Sequence, residues 1–172
     1  MTTTVFRLLA IAALAATLVI APGCRKAQDA AIEQALENAT GAKVDKDGDA
    51  LTFKTDKGEV KIAAAEDGGS VALPDGFPDD VYLPDNHKVA SAMDMGGMQI
   101  VNLTTPAAMG TVYADADKAM QGKGWKREMA MQSGDGSTLM YTKGDQQVVY
   151  QLLKGDDGGT QLAIRTGNAA GG

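Results

Sequence analysis

The stretch KVASAMDMGGMQIVNLTTPAAMGTVYADADKAMQ, residues 88–121, changes its period halfway along, and that change decides the fold class. Lys88 to Met95 and Met98 to Thr104 read as two strands, in which every second side chain shares a face. Gly96-Gly97 between them supplies the tight turn of a hairpin. Beyond Thr105 the repeat lengthens, with Met109, Val112, Tyr113, Ala116 and Met120 on one face and Asp115, Asp117 and Lys118 on the other. Thr105 is the expected N-cap, Pro106 the expected first helical residue, and Gly122-Lys123-Gly124 the stop.

Downstream, four more strands are expected: Trp125 to Gln132, Ser137 to Lys143, Gln146 to Lys154 and Thr160 to Thr166. Gly134-Asp135-Gly136, Gly144-Asp145 and Asp156-Asp157-Gly158-Gly159 separate them with turn chemistry. Just upstream, Pro74 to Pro84 holds three prolines in eleven residues, so it reads as extended and irregular, with Phe77, Val81 and Leu83 as its anchors on a core. The order is β-β-α-β-β-β-β, an antiparallel sheet with one helix packed on a face, and the class is α+β.

Further upstream lies a smaller unit. Ala27 to Ala39 places Ile32, Ala35, Leu36 and Ala39 on one helical stripe, and Thr40-Gly41 ends it. Lys43 to Asp47, Ala50 to Thr55 and Glu59 to Ala64 read as a three-stranded meander, with Val44, Leu51, Phe53, Val60 and Ile62 on a face under that helix. The expected organisation is a helix plus meander over 27–65, a linker over 66–73, an α+β domain over 74–167 and a disordered tail over 168–172. A Gly/Ala/Asn composition from Gly167 onward suggests fraying there.

The N-terminus carries an address. Arg7 precedes 14 mostly aliphatic residues, Leu8 to Ala21, the length of a signal-peptide core and too short for a spanning helix of about 20 residues. Ala21-Pro22-Gly23-Cys24 at its end resembles the lipobox of bacterial lipoproteins, with Ala21 where that family usually has Leu and Pro22 where it usually has Ala or Ser. The resemblance implies that residues 1–23 are cleaved, that Cys24 is lipidated and its freed amine acylated, and that 24–26 form the tether. Two or three acyl chains hold a protein firmly where one binds reversibly. Arg25 after the cysteine, where enteric lipoproteins kept at the inner membrane have Asp, implies the outer membrane, facing the periplasm. Residues 74–166 also resemble a recurrent domain of uncharacterised bacterial lipoproteins, in which a Pro-Asp-Gly-Phe-Pro-like segment (here Pro74 to Pro78) leads to a hairpin, a helix, a Gly-Trp (here Gly124-Trp125) and more strands. That resemblance implies a fold and no activity.

Charge and composition narrow the function classes. Of 172 residues, 16 are basic and 22 acidic; removing Arg7 with the signal leaves 15 against 22, a balance of −7 over 149 residues. An acidic chain with no Lys/Arg run does not suit phosphate backbones, so no nucleic-acid partner is expected. Cys24 is the only cysteine, which excludes an internal disulfide and any cysteine-based zinc or redox motif.

Few residues suggest chemistry. Met93, Met95 and Met98, with His87 upstream, form a candidate soft-metal set, since thioether sulfur suits Cu(I). The same methionines also read as core filler. Asp45-Lys46-Asp47-Gly48-Asp49 is similar to a calcium loop, but Ala50 and Asp56 stand where that loop needs Gly and Glu. Asp79-Asp80 on an extended segment point apart and do not make a catalytic pair. Trp125, Tyr113, Tyr141 and Tyr150 are candidates for the core or for a partner anchor. With one histidine and no nucleophile motif, the reading is a non-catalytic binding module without a cofactor, anchored to the membrane and facing an envelope-protein or cell-wall partner. The alternatives are a copper-handling lipoprotein and a small periplasmic enzyme.

Overall fold

The computed structural model describes residues 34, 37, 43–47, 50–55, 58–65, 68–155 and 157–169. Their elements are β1 (Lys43–Asp47), β2 (Ala50–Thr55), β3 (Gly58–Ala64), β4 (Lys88–Asp94), β5 (Gln99–Thr105), α1 (Met109–Gly122), β6 (Lys126–Gln132), β7 (Gly136–Lys143), β8 (Gln146–Lys154) and β9 (Thr160–Asn168). All strands join one antiparallel sheet in the order β1-β2-β3-β4-β5-β9-β8-β7-β6, so the fold is α+β and dominated by its sheet. Of the helix expected over 27–39, only Gln34 and Glu37 are described, both helical and exposed; the rest lies outside the described residues, as do 1–33 with Cys24.

Most neighbours in the sheet are neighbours in sequence, joined by the tight turns that the glycines and aspartates mark. Two pairings are not of this kind. From β5 the chain crosses by α1 to the far edge, then returns strand by strand until β9 closes against β5 over seven residue pairs. Successive antiparallel pairings make β5 and β6 run the same way, and a helix is the usual means of carrying the chain back to the starting end. At this closure Gly159 passes so near β5 that a Cβ there would stand 2.5 Å from the Thr105 carbonyl oxygen. The second pairing joins Lys61–Ala64 of β3 to Ser91–Asp94 of β4, which makes the meander and the larger unit one continuous sheet.

The core lies on the α1 side of the sheet, over β4, β5, β7, β8 and β9, while the edge strand β6 is exposed along its length. Val112, Ala116 and Met120 of α1 are buried over the β7–β8 side of the sheet, in one apolar cluster with the row that runs Ala92, Val101, Ile164, Tyr150, Leu139 across β4, β5, β9, β8 and β7. Phe77, Val81 and Leu83 pack onto the same cluster, so the proline-rich segment is anchored where its apolar residues suggest.

Local details differ from expectation in two places. Thr105 does not cap the helix: it is the last residue of β5, paired with Thr160, and its hydroxyl donates to Asp85 O and accepts from Ala107 N. The helix starts later, with Ala108 as N-cap and no side-chain cap, because the sheet has already claimed Thr105. The chain also stays ordered past Thr166. Gly167 and Asn168 pair with Gln147 and Gln146, and Ala169 N donates to Asp145 O, since β8 extends far enough to offer them partners.

Candidate functional site

Strand parity gives the sheet two unlike faces. The row beside the core row reads Met129, Met140, Val149, Arg165, Ile100, Met93, Ile62, Leu51, from β6 at one edge to β2. Successive residues of a strand point to opposite sides, so this row lies on the face that α1 leaves uncovered. The large apolar side chains exposed among the described residues fall on that face, Met131 (61%), Leu153 (56%) and Met129 (36%) by register and Met98 (39%) by alternation from the buried Gln99.

The candidate thioether set is partly assembled here. Met93, one residue before the end of β4, lies on the uncovered face, and Met95 and Met98 flank the Gly96-Gly97 turn, with Met95 N donating to Met98 O at 2.9 Å. By alternation all three project to one side. His87 is not with them. It precedes the other end of β4, where its Nδ1 lies 2.7 Å from Pro84 O, and six residues of strand rise separate it from Met93 by about 20 Å.

On the opposite face, where α1 gives out, the core row shrinks to Ala92, Ala63 and Ala50 at directly paired positions of β4, β3 and β2. The segment Ser70–Asp75 passes over this row and leaves a groove of about 570 Å³ between itself and the sheet. Two hydrogen bonds hold that strap: Val71 N donates to Val89 O, and Val89 N to the side-chain Ser70 Oγ, each at 3.0 Å. Gln99 Nε2 donates to Asp75 O and to Asp94 Oδ2, and Gly96 N donates to Asp94 Oδ1. Lys61 Nζ sits 3.6 Å from Glu59 and 3.9 Å from Asp75. Sequence reading missed this groove, because its three alanines lie far apart in the chain and only the register aligns them.

The aromatic candidates are structural. Trp125, Tyr141 and Tyr150 are buried and Tyr113 packs against the core. Tyr150 Oη donates to Tyr82 O at 3.0 Å and lies 3.2 Å from Met120 Sδ, and its ring meets Tyr141 edge to face. Burial raises both phenols far above their ordinary 10. Tyr141 Oη and Arg127 both donate to Asp117, tying β7 and β6 to α1. Asp80 accepts from Lys143 Nζ at 2.7 Å and Trp125 Nε1 at 3.1 Å, while Lys143 also lies over the Trp125 ring. The Lys143 hydrogen bond, with help from Trp125, holds the Asp80 carboxyl below its usual range. Asp79 is exposed and takes no part, so the two neighbours do diverge. Asp45 pairs with Lys54 across β1 and β2 at 2.7 Å, which gives it a partner without an ion. Among the described residues no three His, Cys, Asp or Glu side chains group as metal ligands, and no helix is long and apolar enough to cross a membrane.

Comparison with protein-family models, with curated proteins and with solved structures finds no match to this chain.

Proposed function

We propose that this chain is a lipid-anchored protein of the bacterial cell envelope, held by Cys24, that binds a partner on the sheet face opposite α1. The observation that carries the reading is the segregation of all four exposed large apolar side chains to that face. Scattered apolar residues are ordinary on a surface, whereas a one-sided set marks an interaction site. Leu51, Phe53, Val60 and Ile62 lie on the same side. The β6–β8 end of this face, where Met129, Met131 and Leu153 are exposed, is the part for an envelope protein or cell-wall component.

Two measurements test this. The mass of the mature chain from its host membrane should include acyl groups on Cys24, and Cys24→Ser should release the protein into the soluble fraction. A photo-crosslinking residue at Met131 should trap one discrete partner in the intact envelope, a residue at Lys118 on α1 should not, and Met129→Ser with Leu153→Ser should abolish the adduct. A soluble native chain, or the same adducts from both faces, would overturn the reading.

One observation favours a second reading: Met93, Met95 and Met98 share a face around one turn, as a three-thioether Cu(I) site requires. Replacing all three with Leu should abolish Cu(I) binding in competition titrations and leave stability within about 1.5 kcal/mol per swap.

A further inference from the structure

We infer that the groove under Ser70–Asp75 is a ligand site in its own right, shaped for a small amphiphile with an apolar body and a protonated amine head. It lies on the α1 side of the sheet and does not depend on the partner face. The floor is apolar and shallow because three alanines replace the large side chains of the same row: Tyr150, Ile164 and Val101 fill the core, while Ala92, Ala63 and Ala50 leave room beneath the strap. Leu73 and Pro74 of the strap complete an apolar enclosure, and about 570 Å³ lies within the range of roughly 300–1,000 Å³ typical of small-ligand sites.

The rim selects the head group. The described charged residues lining the groove are Glu59, Asp75, Asp94 and Lys61, three carboxylates against one ammonium. Lys61 lies within 4 Å of both Glu59 and Asp75, so its charge is already met inside the rim. Asp94 is fixed in place by Gln99 Nε2 and Gly96 N, one to each oxygen, and keeps lone pairs for a further donor. A cationic head meets net negative charge here, and a carboxylate head meets repulsion. Because the strap is pinned to Val89 and Gln99, the groove exists before any ligand arrives.

The experiment is a titration of the full acylated chain in lipid nanodiscs, carrying labelled alanine methyls, with 4-phenylbutylammonium, 4-phenylbutyrate and 4-phenylbutanol. The ammonium should shift the Ala50, Ala63 and Ala92 methyls saturably and bind at least about fivefold tighter than the carboxylate, the scale expected of two or three partly exposed charge contacts. Ala63→Phe should abolish the response while the methyl of Ala116, on the buried face of α1, keeps its position. The pair Glu59→Gln and Asp75→Asn should bring ammonium and carboxylate to near parity and leave the neutral alcohol unchanged. Equal binding of the two charged probes to the native chain, shifts that do not saturate, or shifts that survive Ala63→Phe would each overturn the site. Met131→Ser should have no effect on this titration, which keeps its outcome separate from that of the partner face.

Discussion

The strands β4–β9 and the meander β1–β3 belong to one sheet but are stabilised differently. In β4–β9 one face is covered by α1 and the Phe77–Leu83 segment over every strand but the exposed edge strand β6, and alternate residues of β5, β7, β8 and β9 are buried. In β1–β3 no described side chain is fully buried, and Leu51, Phe53, Val60 and Ile62 face the other way. The meander is held to its neighbour by the four pairs between β3 and β4. Backbone pairing can thus extend a sheet past its core, but the extension takes its stability from whatever covers it, since a hairpin or small meander is marginal alone.

The sharpest way to expose that contrast is truncation on each side. Tyr150→Ala removes a fully buried ring and its hydrogen bonds and should cost about 3–5 kcal/mol, whereas Phe53→Ala, half-buried in β2, should cost about 1. Denaturant midpoints decide it, and comparable losses would show the meander to be as well supported as the core. Gly159→Ala should come next, at about 2 kcal/mol, because its Cβ would meet the Thr105 carbonyl and force β9 from β5. Its loss should appear as faster amide exchange along β5 and β9 ahead of β7.

Titration probes the covered region from both ends of the pH scale. Asp80 is lowered from 3.8, so its contribution is fully present above that unfolded value and is lost as pH falls through the lower folded one. Asp80→Asn should cost about 1 kcal/mol at pH 7, modest because the side chain is a third exposed, and should flatten the acid limb of the stability curve below about pH 4. The buried phenols act at the other end. Their folded values lie above 10, so stability is full below pH 10 and declines as pH rises beyond it; Tyr150→Phe should reduce that alkaline slope in melts between about pH 9 and 11. The smallest effect is expected on the uncovered face, where Met131→Ser should change stability by no more than about 0.5 kcal/mol.

Much of this architecture was legible along the chain. Gly96-Gly97 and Gly144 mark turns because their positive φ is one few other residues tolerate, and the shift from period two to 3.6 at Thr105 announces α1. The N-cap at Thr105 misled because a residue favoured at caps is equally content to end a strand. Asp80 and Trp125 stand 45 residues apart, and nothing local joins them. The groove was invisible for the same reason, since alanines 50, 63 and 92 carry no signal until they are paired.

By itself the sequence determined the local elements: alternation, turn glycines and helical spacing act over a few residues, so the strands, α1 and the α+β class follow from neighbours in the chain. Tertiary structure alone decided which strands meet and which face is covered. The closure of β5 on β9 and the junction of β3 with β4 link distant segments, and a one-residue change of register exchanges the faces of a strand. Only when the register is set do the core row pass under α1, the methionines lie on the open side and the three alanines line a groove.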